Sequence, residues 1–304
     1  IIVMSVMNGF RSELVNKIIG FNSHVIIQSQ NETDDTSLLN SKYIKSISKN
    51  VIFSNSGEVI LINNNITKGL SLRGYKIKDF KKLEIFKKIK YQNKNEFFKG
   101  KTISIGKELS FDLNLDIGDK VLLMSPTGED TIIGNLPKQE NYTITSIFDS
   151  GLIEFDQNVA FVNIENLEGL LNLNSSKRNI EIYLHNPLDI EKSKLEIQKV
   201  FNKHFVYTWA DLNRSLFSAL KVERNVMFII LSLIIVVAAF NIISGLTILV
   251  KNKTKEIAIL KSIGVMNKSI TKIFFLIGFY IGTSATIFGI IIGVLFSIYI
   301  ENIR

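Results

Sequence analysis

Two stretches of this 304-residue chain, Val226 to Val250 and Ile273 to Ile300, run for 25 and 28 residues without a charged side chain. A helix rises about 1.5 Å per residue, so each is long enough to cross a hydrocarbon core roughly 30 Å thick. Core helices of soluble proteins rarely stay uncharged beyond about 20 residues. Both stretches are therefore read as membrane spans, and the rest of the chain has to be arranged around them.

Composition narrows the class further. With 46% apolar residues and 3 prolines the chain is neither disordered nor collagen-like. The absence of cysteine removes thiol catalysis, Cys-ligated zinc and disulfides, and leaves cytosol and periplasm equally open. Thirty-six Lys and Arg against 28 Asp and Glu give a net charge of +8, but Lys, Asn and Ile are abundant throughout, as a codon bias would produce. The cluster Lys76, Lys78, Lys81 and Lys82 reads as a solvated face and not as a nucleic-acid groove.

The first residue is not methionine, and Ile1 to Met7 is apolar but too short to span, so the sequence is expected to begin inside a first span. Val3, Met7, Phe10, Leu14 and Ile18 keep helical spacing past Arg11 until Gly20, which makes residues 1–20 the end of a span continued as a stalk. Between this helix and the next span, strand-like and helix-like runs alternate and none is long and apolar enough to cross a membrane. Strands are expected at His24 to Ser29, Val51 to Ile62, Ser71 to Tyr75, Lys120 to Met124, Tyr142 to Phe148, Val159 to Asn163, Asn179 to Leu184 and Phe205 to Thr208. Helices are expected at Ser37 to Ser48, Gly106 to Leu113, Ile164 to Leu171 and Leu188 to Lys203. The fold class is thus membrane helices plus a large α+β domain. A β-α-β unit at each end of that domain (21–75 and 179–208) suggests one subdomain, 21–75 with 179–215, interrupted by a second mixed one, 76–178. A stalk and second span then occupy 216–250, and a third span 273–300.

Orientation follows from the connecting loop 251–272, where Lys251, Lys253, Lys255, Lys261, Lys268 and Lys272 face a single acid, Glu256. Short basic loops stay in the cytoplasm, which places the α+β domain across the membrane.

Several motifs fall short of chemistry. The KGKT run at 99–102 resembles the end of a phosphate-binding loop, but Asn95 stands where its first glycine is needed, so this chain is not expected to hydrolyse ATP. Asp112, Asn114 and Asp116 have calcium-loop spacing, yet Ile117 and Leu123 occupy the positions of the required glycine and glutamate; a polar turn is expected. Gly69 to Arg73 lacks the final glycine of a hydrolase elbow, and His24, His185 and His204 are scattered. No catalytic or metal-binding residue is assigned.

The informative motifs lie in and beside the membrane. In 251–272, Ile257, Leu260 and Ile263 or Gly264 share one helical face with lysines elsewhere. This describes an amphipathic helix that either rests on lipid or docks into a cytoplasmic partner. Gly278, Gly282, Ala285, Gly289 and Gly293 form a small-residue stripe for close helix packing, against a neighbour that the sequence does not identify.

The segment KEIAILKSIG at 255–264 resembles the one that follows the second span in ABC permeases of the MacB/FtsX type. More narrowly, VMSVMNGF (3–10), FDSGLIEF (148–155) and the run from Leu216 to Ile242 resemble the lipoprotein-releasing LolC/LolE permeases, over residues 1 to about 300. Such permeases have four spans, with a MacB-like exported domain between the first two; on this likeness the chain lacks most of the first span and all of the fourth. The resemblance implies a non-enzymatic inner-membrane subunit that extracts lipoproteins and hands them to a LolA-like periplasmic chaperone. ATP and magnesium would be held by a separate LolD-like ATPase and none in this chain, and a second permease copy or paralogue would complete the complex. It implies a cargo site at Val3, Met7, Phe10, Met227, Ile230 and Ile234, and an ATPase-coupling site at Glu256, Ile257, Leu260, Lys261 and Gly264. It also implies a chaperone-gripping hook at Ile132, Ile133, Gly134, Asn135, Leu136 and Pro137. That hook favours a LolC-like chain, or one permease combining both roles. A MacB-like efflux permease and an FtsX-like regulator of a cell-wall hydrolase are the alternatives with the same architecture.

Overall fold

A computed structural model describes residues 2–28, 41–63, 66–91, 98–126, 129–131 and 134–299. Ile1, Ser29, Ser37 to Asn40, Asn95, Ile132, Ile133 and Ile300, which figure in the expectations above, lie outside the described residues. The chain divides into two compact units, 14–213 and a second made of 1–13 with 214–304.

The strands of unit 14–213, in chain order, are β1 (Val25–Gln28), β2 (Ser48–Asn63), β3 (Ile66–Tyr75), β4 (Ile89–Tyr91), β5 (Thr102–Gly106), β6 (Lys120–Met124), β7 (Glu129–Thr131), β8 (Gly134–Leu136), β9 (Gln139–Phe148), β10 (Val159–Asn163), β11 (Asn179–Leu184) and β12 (Phe205–Thr208). The α-helices among the described residues are α1 (Ile2–Phe21), α2 (Lys42–Ile47), α3 (Ile77–Phe80), α4 (Lys107–Asp112), α5 (Ile153–Asn158), α6 (Ile164–Leu171), α7 (Ile190–Val200), α8 (Trp209–Leu212), α9 (Arg214–Asn252), α10 (Thr254–Ser262) and α11 (Asn267–Tyr299).

One sheet runs β12-β1-β11-β2-β3-β10-β5-β9-β4, and β6 pairs with both β2 and β9. Its first part is an arm. β1 is antiparallel to β11 and to β12, and β11 is antiparallel to β2. Each β-α-β unit expected at the ends of the domain is therefore present, with a strand of the other unit lodged between its two strands. The second part closes. β2 pairs with β3, β3 with β10, β10 with β5, β5 with β9, β9 with β6, and β6 returns to β2. The 16-residue β2 serves both parts, its Ser48 to Ser54 half lying on β11 and its Ile60 to Ile62 stretch on β6.

Alternation along the strands explains why the ring holds together. On β10, Ala160 and Val162 enter the ring core with Val59, Leu61, Leu72, Ile103, Ile105 and Tyr142. Val159 and Phe161 point the other way into an aromatic cluster with Tyr75, Phe80 and Phe148. A strand buried on both faces needs bulky apolar residues at successive positions, and β10 supplies them in Val159 to Val162. β5 crosses close under α5: a Cβ at Gly106 would run into the backbone of Asp156.

The expected calcium-like run is a turn that spends its own carboxylates. Asp119 Oδ2 accepts from the Asp116 amide (2.8 Å), Asp116 Oδ1 from the Ile117 amide (2.8 Å), and Asp112 binds Lys68 at 3.2 Å.

In the other unit, α9 and α11 are long and apolar enough to cross a membrane, and 0% and 6% of their most apolar windows are buried. A core helix of a soluble protein would be mostly buried, so these surfaces suit lipid or other helices. At 39 residues α9 is roughly 58 Å long, well beyond a bilayer core, and its first three turns mix charged and apolar residues.

Candidate functional site

Within the membrane unit, α1 and α9 enclose a small cleft lined by Met4, Met7, Asn8, Arg11, Leu220, Arg224 and Met227. On α1 the lining positions 4, 7, 8 and 11 fall on one helical face, as do 220, 224 and 227 on α9. Of the six residues expected at a cargo site, the cleft brings Met7 and Met227 together. Val3, Phe10, Ile230 and Ile234 stand exposed outside its lining. Met4 lies one position off the stripe of Val3, Met7 and Phe10, and Leu220 precedes the charge-free stretch that begins at Val226, so the sequence pattern singles out neither. Arg11 and Arg224 were missed because a charge was read as the end of a span. Their signal was the three- and four-residue spacing from the methionines.

The neighbour of the glycine stripe is partly the chain itself. A Cβ on Gly278 would lie 2.9 Å from Leu246 Cδ1 of α9, so α11 packs this glycine directly against that side chain, which would have to shift for any larger residue. Gly293 is buried, and one turn later Ser297 shares a 2.8 Å hydrogen bond with Ser5 of α1. Gly282 and Gly289 face open space within this chain.

The expected coupling residues Glu256, Ile257, Leu260 and Lys261 sit on α10, and Gly264 follows at φ +96°, a left-handed conformation that lets the chain turn into α11. Glu256 pairs with Lys253 at 3.0 Å. No residue of α10 is buried, and Leu260 is 41% exposed.

Of the expected hook, Gly134, Asn135 and Leu136 form β8, which pairs with β7 in a two-stranded ribbon separate from the large sheet. Leu136 is 51% exposed and Pro137 follows it at the surface; Ile132 and Ile133 are outside the described residues.

The FDSGLIEF run at 148–155 is a turn that holds the end of α1. Gly151 takes φ +76°, and the Ser150 amide donates to both Asp156 carboxylate oxygens (3.0 and 3.1 Å). Burial pushes the Asp156 carboxyl above its ordinary range. Phe155 lies 6.4 Å from the ring of Phe21 at the end of α1, and Arg73 sits 5.2 Å over Phe155 while donating to Asn22 Oδ1 at 3.0 Å. His24 closes the same helix end. Its Nδ1 accepts from the Leu184 amide at 2.7 Å, which leaves Nε2 as donor to the Ile19 carbonyl at 3.2 Å, and burial lowers its pKa.

Long exposed apolar helices and an α+β domain that grips the end of one helix describe a membrane permease with a large extramembrane domain. Residues 228–304 match the family model of the FtsX-like permease C-terminal region. The chain is 30% identical to the lipoprotein-releasing system transmembrane protein LolC of Neisseria meningitidis, over 97% of this chain and 72% of that protein. It is 26% identical to the LolE protein of Haemophilus influenzae, over 98% of this chain and 74% of that one. The periplasmic region of MacB from Actinobacillus actinomycetemcomitans aligns with 66% of this chain and 95% of its own at 13% identity and a TM-score of 0.38. The chain belongs to the LolC/LolE family of transmembrane permeases, with an FtsX-like permease C-terminal region, and spans about three quarters of the length of the relatives it matches end to end. Members are non-catalytic transmembrane subunits.

Proposed function

We propose that this permease draws triacylated lipoproteins from the outer leaflet of the inner membrane and delivers them to a LolA-like periplasmic chaperone, driven by a cytoplasmic LolD-like ATPase. The observation that carries this reading is the cleft between α1 and α9, to which Met4, Met7 and Met227 contribute. Thioether side chains are flexible and polarizable, and so accept acyl chains of varied length. Each buried CH₂ is worth about 0.8 kcal/mol to the bilayer, so three chains leave it only for an apolar receptor that a second energy source can later close. Val3, Phe10, Ile230 and Ile234 extend the apolar surface beside that cleft. The unburied face of α10, with Ile257 and Leu260, is the proposed docking edge for the ATPase, and the ribbon ending in Leu136 and Pro137 the proposed grip on the chaperone. That ribbon favours a LolC-like chain or a single permease filling both roles. The arm strands β1, β11, β12 and the first half of β2 are proposed as one subdomain of the periplasmic part, and the ring that 76–178 builds together with the second half of β2 and β3 as the other.

A photocrosslinker at Met7 in the assembled complex is expected to capture lipoprotein acyl chains without nucleotide and to lose them when ATP is bound. Capture of bulk phospholipid alone in both states would sink the cargo assignment.

A further inference from the structure

The two arginines of the cleft have no role in holding acyl chains. Arg11 and Arg224 line it together with Asn8, no carboxylate lines it, and neither guanidinium has a hydrogen bond or ion pair among the described residues. Arg224 lies two residues before the charge-free stretch that starts at Val226, which puts it at the membrane boundary on the periplasmic side. Arginine and lysine are depleted at this side of inner-membrane spans, and two exposed guanidinium groups with no acid partner among the described residues leave both forks open to an anion. The phosphate layer of the outer leaflet lies at the same depth.

We propose that Arg11 and Arg224 bind the phosphodiester of an anionic outer-leaflet glycerophospholipid, with Asn8 as a further polar contact and the acyl chains lying over Met4, Met7, Leu220 and Met227. A guanidinium presents a planar fork that matches phosphate oxygens, and two forks without an acid between them repel an ammonium headgroup. The site therefore selects phosphatidylglycerol over zwitterionic lipids. A free anion would satisfy the arginines and leave the apolar floor uncovered, whereas a lipid covers both. The proposal holds whatever the transported cargo is.

The test uses the full-length permease with its ATPase partner, reconstituted in nanodiscs of phosphatidylcholine with a minor share of phosphatidylglycerol. Lipids retained after release into detergent are counted by native mass spectrometry. The wild type is expected to retain phosphatidylglycerol selectively, and an R11Q/R224Q variant to lose that selectivity at least about tenfold. R11K and R224K, which preserve charge and solubility, are expected to lose part of it, and they keep the test usable if the double variant does not assemble. Lys221→Gln, an exposed cation outside the cleft lining, is expected to change nothing. Equal retention by wild type and the lysine variants would mean annular lipid only and overturn the site. Equal loss in Lys221→Gln would reduce it to diffuse charge, and displacement of the lipid by inorganic phosphate would make it a free-anion site. The two readings share Met7 and Met227 and still fail separately: absence of lipoprotein crosslinks at Met7 with selective phosphatidylglycerol retention intact removes the cargo assignment alone, and the reverse removes the phospholipid site alone.

Discussion

At the scale of single residues, the domain keeps a histidine that works only when neutral. His24 Nδ1 must be unprotonated to accept from the Leu184 amide, and burial holds its pKa below the ordinary value. Below about pH 6.5 the unfolded chain binds a proton at this imidazole that the folded domain resists. The stabilising contribution is thus complete above pH 6.5 and is lost as pH falls from there towards the folded pKa. Asp156 acts in the other direction: burial raises its pKa, so its effect on stability weakens the fold as pH rises from its ordinary 3.8. Thermal unfolding of the purified protein is expected to show a falling midpoint between pH 6.5 and 5. His24→Gln should flatten that slope and cost about 1–3 kcal/mol at neutral pH. An unchanged slope in the variant would assign the titration to another group. The sequence marked His24 only as one of three scattered histidines, because Leu184, the partner that fixes its tautomer, is brought to it by the pairing of β1 with β11, while Ile19 is a local backbone partner.

At the scale of elements, strands with sustained β-branched or aromatic runs were legible to the residue: β6, β10, β11 and β12 match their expected limits, as does α6. β4 and β5 were not, since three or five residues after a lysine-rich turn give no usable periodicity and owe their place to β9 on one side. The 148–155 turn was seen only as a family-like string; its physical task is to seat the end of α1. Phe155→Ala is expected to cost about 1–3 kcal/mol, below the figure for a fully buried Phe because this ring is only partly covered. Amide exchange should rise at Ile18 to Asn22 while β10 stays protected. Uniform loss of protection through the domain would show that Phe155 supports the core and not the helix end.

At the scale of the whole molecule, α10 is the element whose sequence pattern outruns its environment. It presents Ile257 and Leu260 on a helix with no buried residue, flanked by lysines. Leu260→Asp would place an unpaired charge in a docking groove while leaving α9 and α11 untouched. Cargo-stimulated ATP hydrolysis by the reconstituted complex is expected to fall at least about tenfold, with normal membrane insertion. Full stimulation in an assembled variant complex would mean that α10 merely rests on lipid.

Hydrophobic length, charge asymmetry and strand or helix period are properties of consecutive residues, so the membrane spans, the α+β class and the amphipathic α10 were determined by the sequence alone. Closure of six strands into a ring joins residues up to 88 positions apart, as in Val159 with Ser71, and the seating of Phe21 against Phe155 and the meeting of Asn8 and Arg11 with Arg224 join residues more than a hundred positions apart. Those contacts depend on which faces pack together, and a local pattern carries no information about the partner across the gap; the tertiary structure decided them.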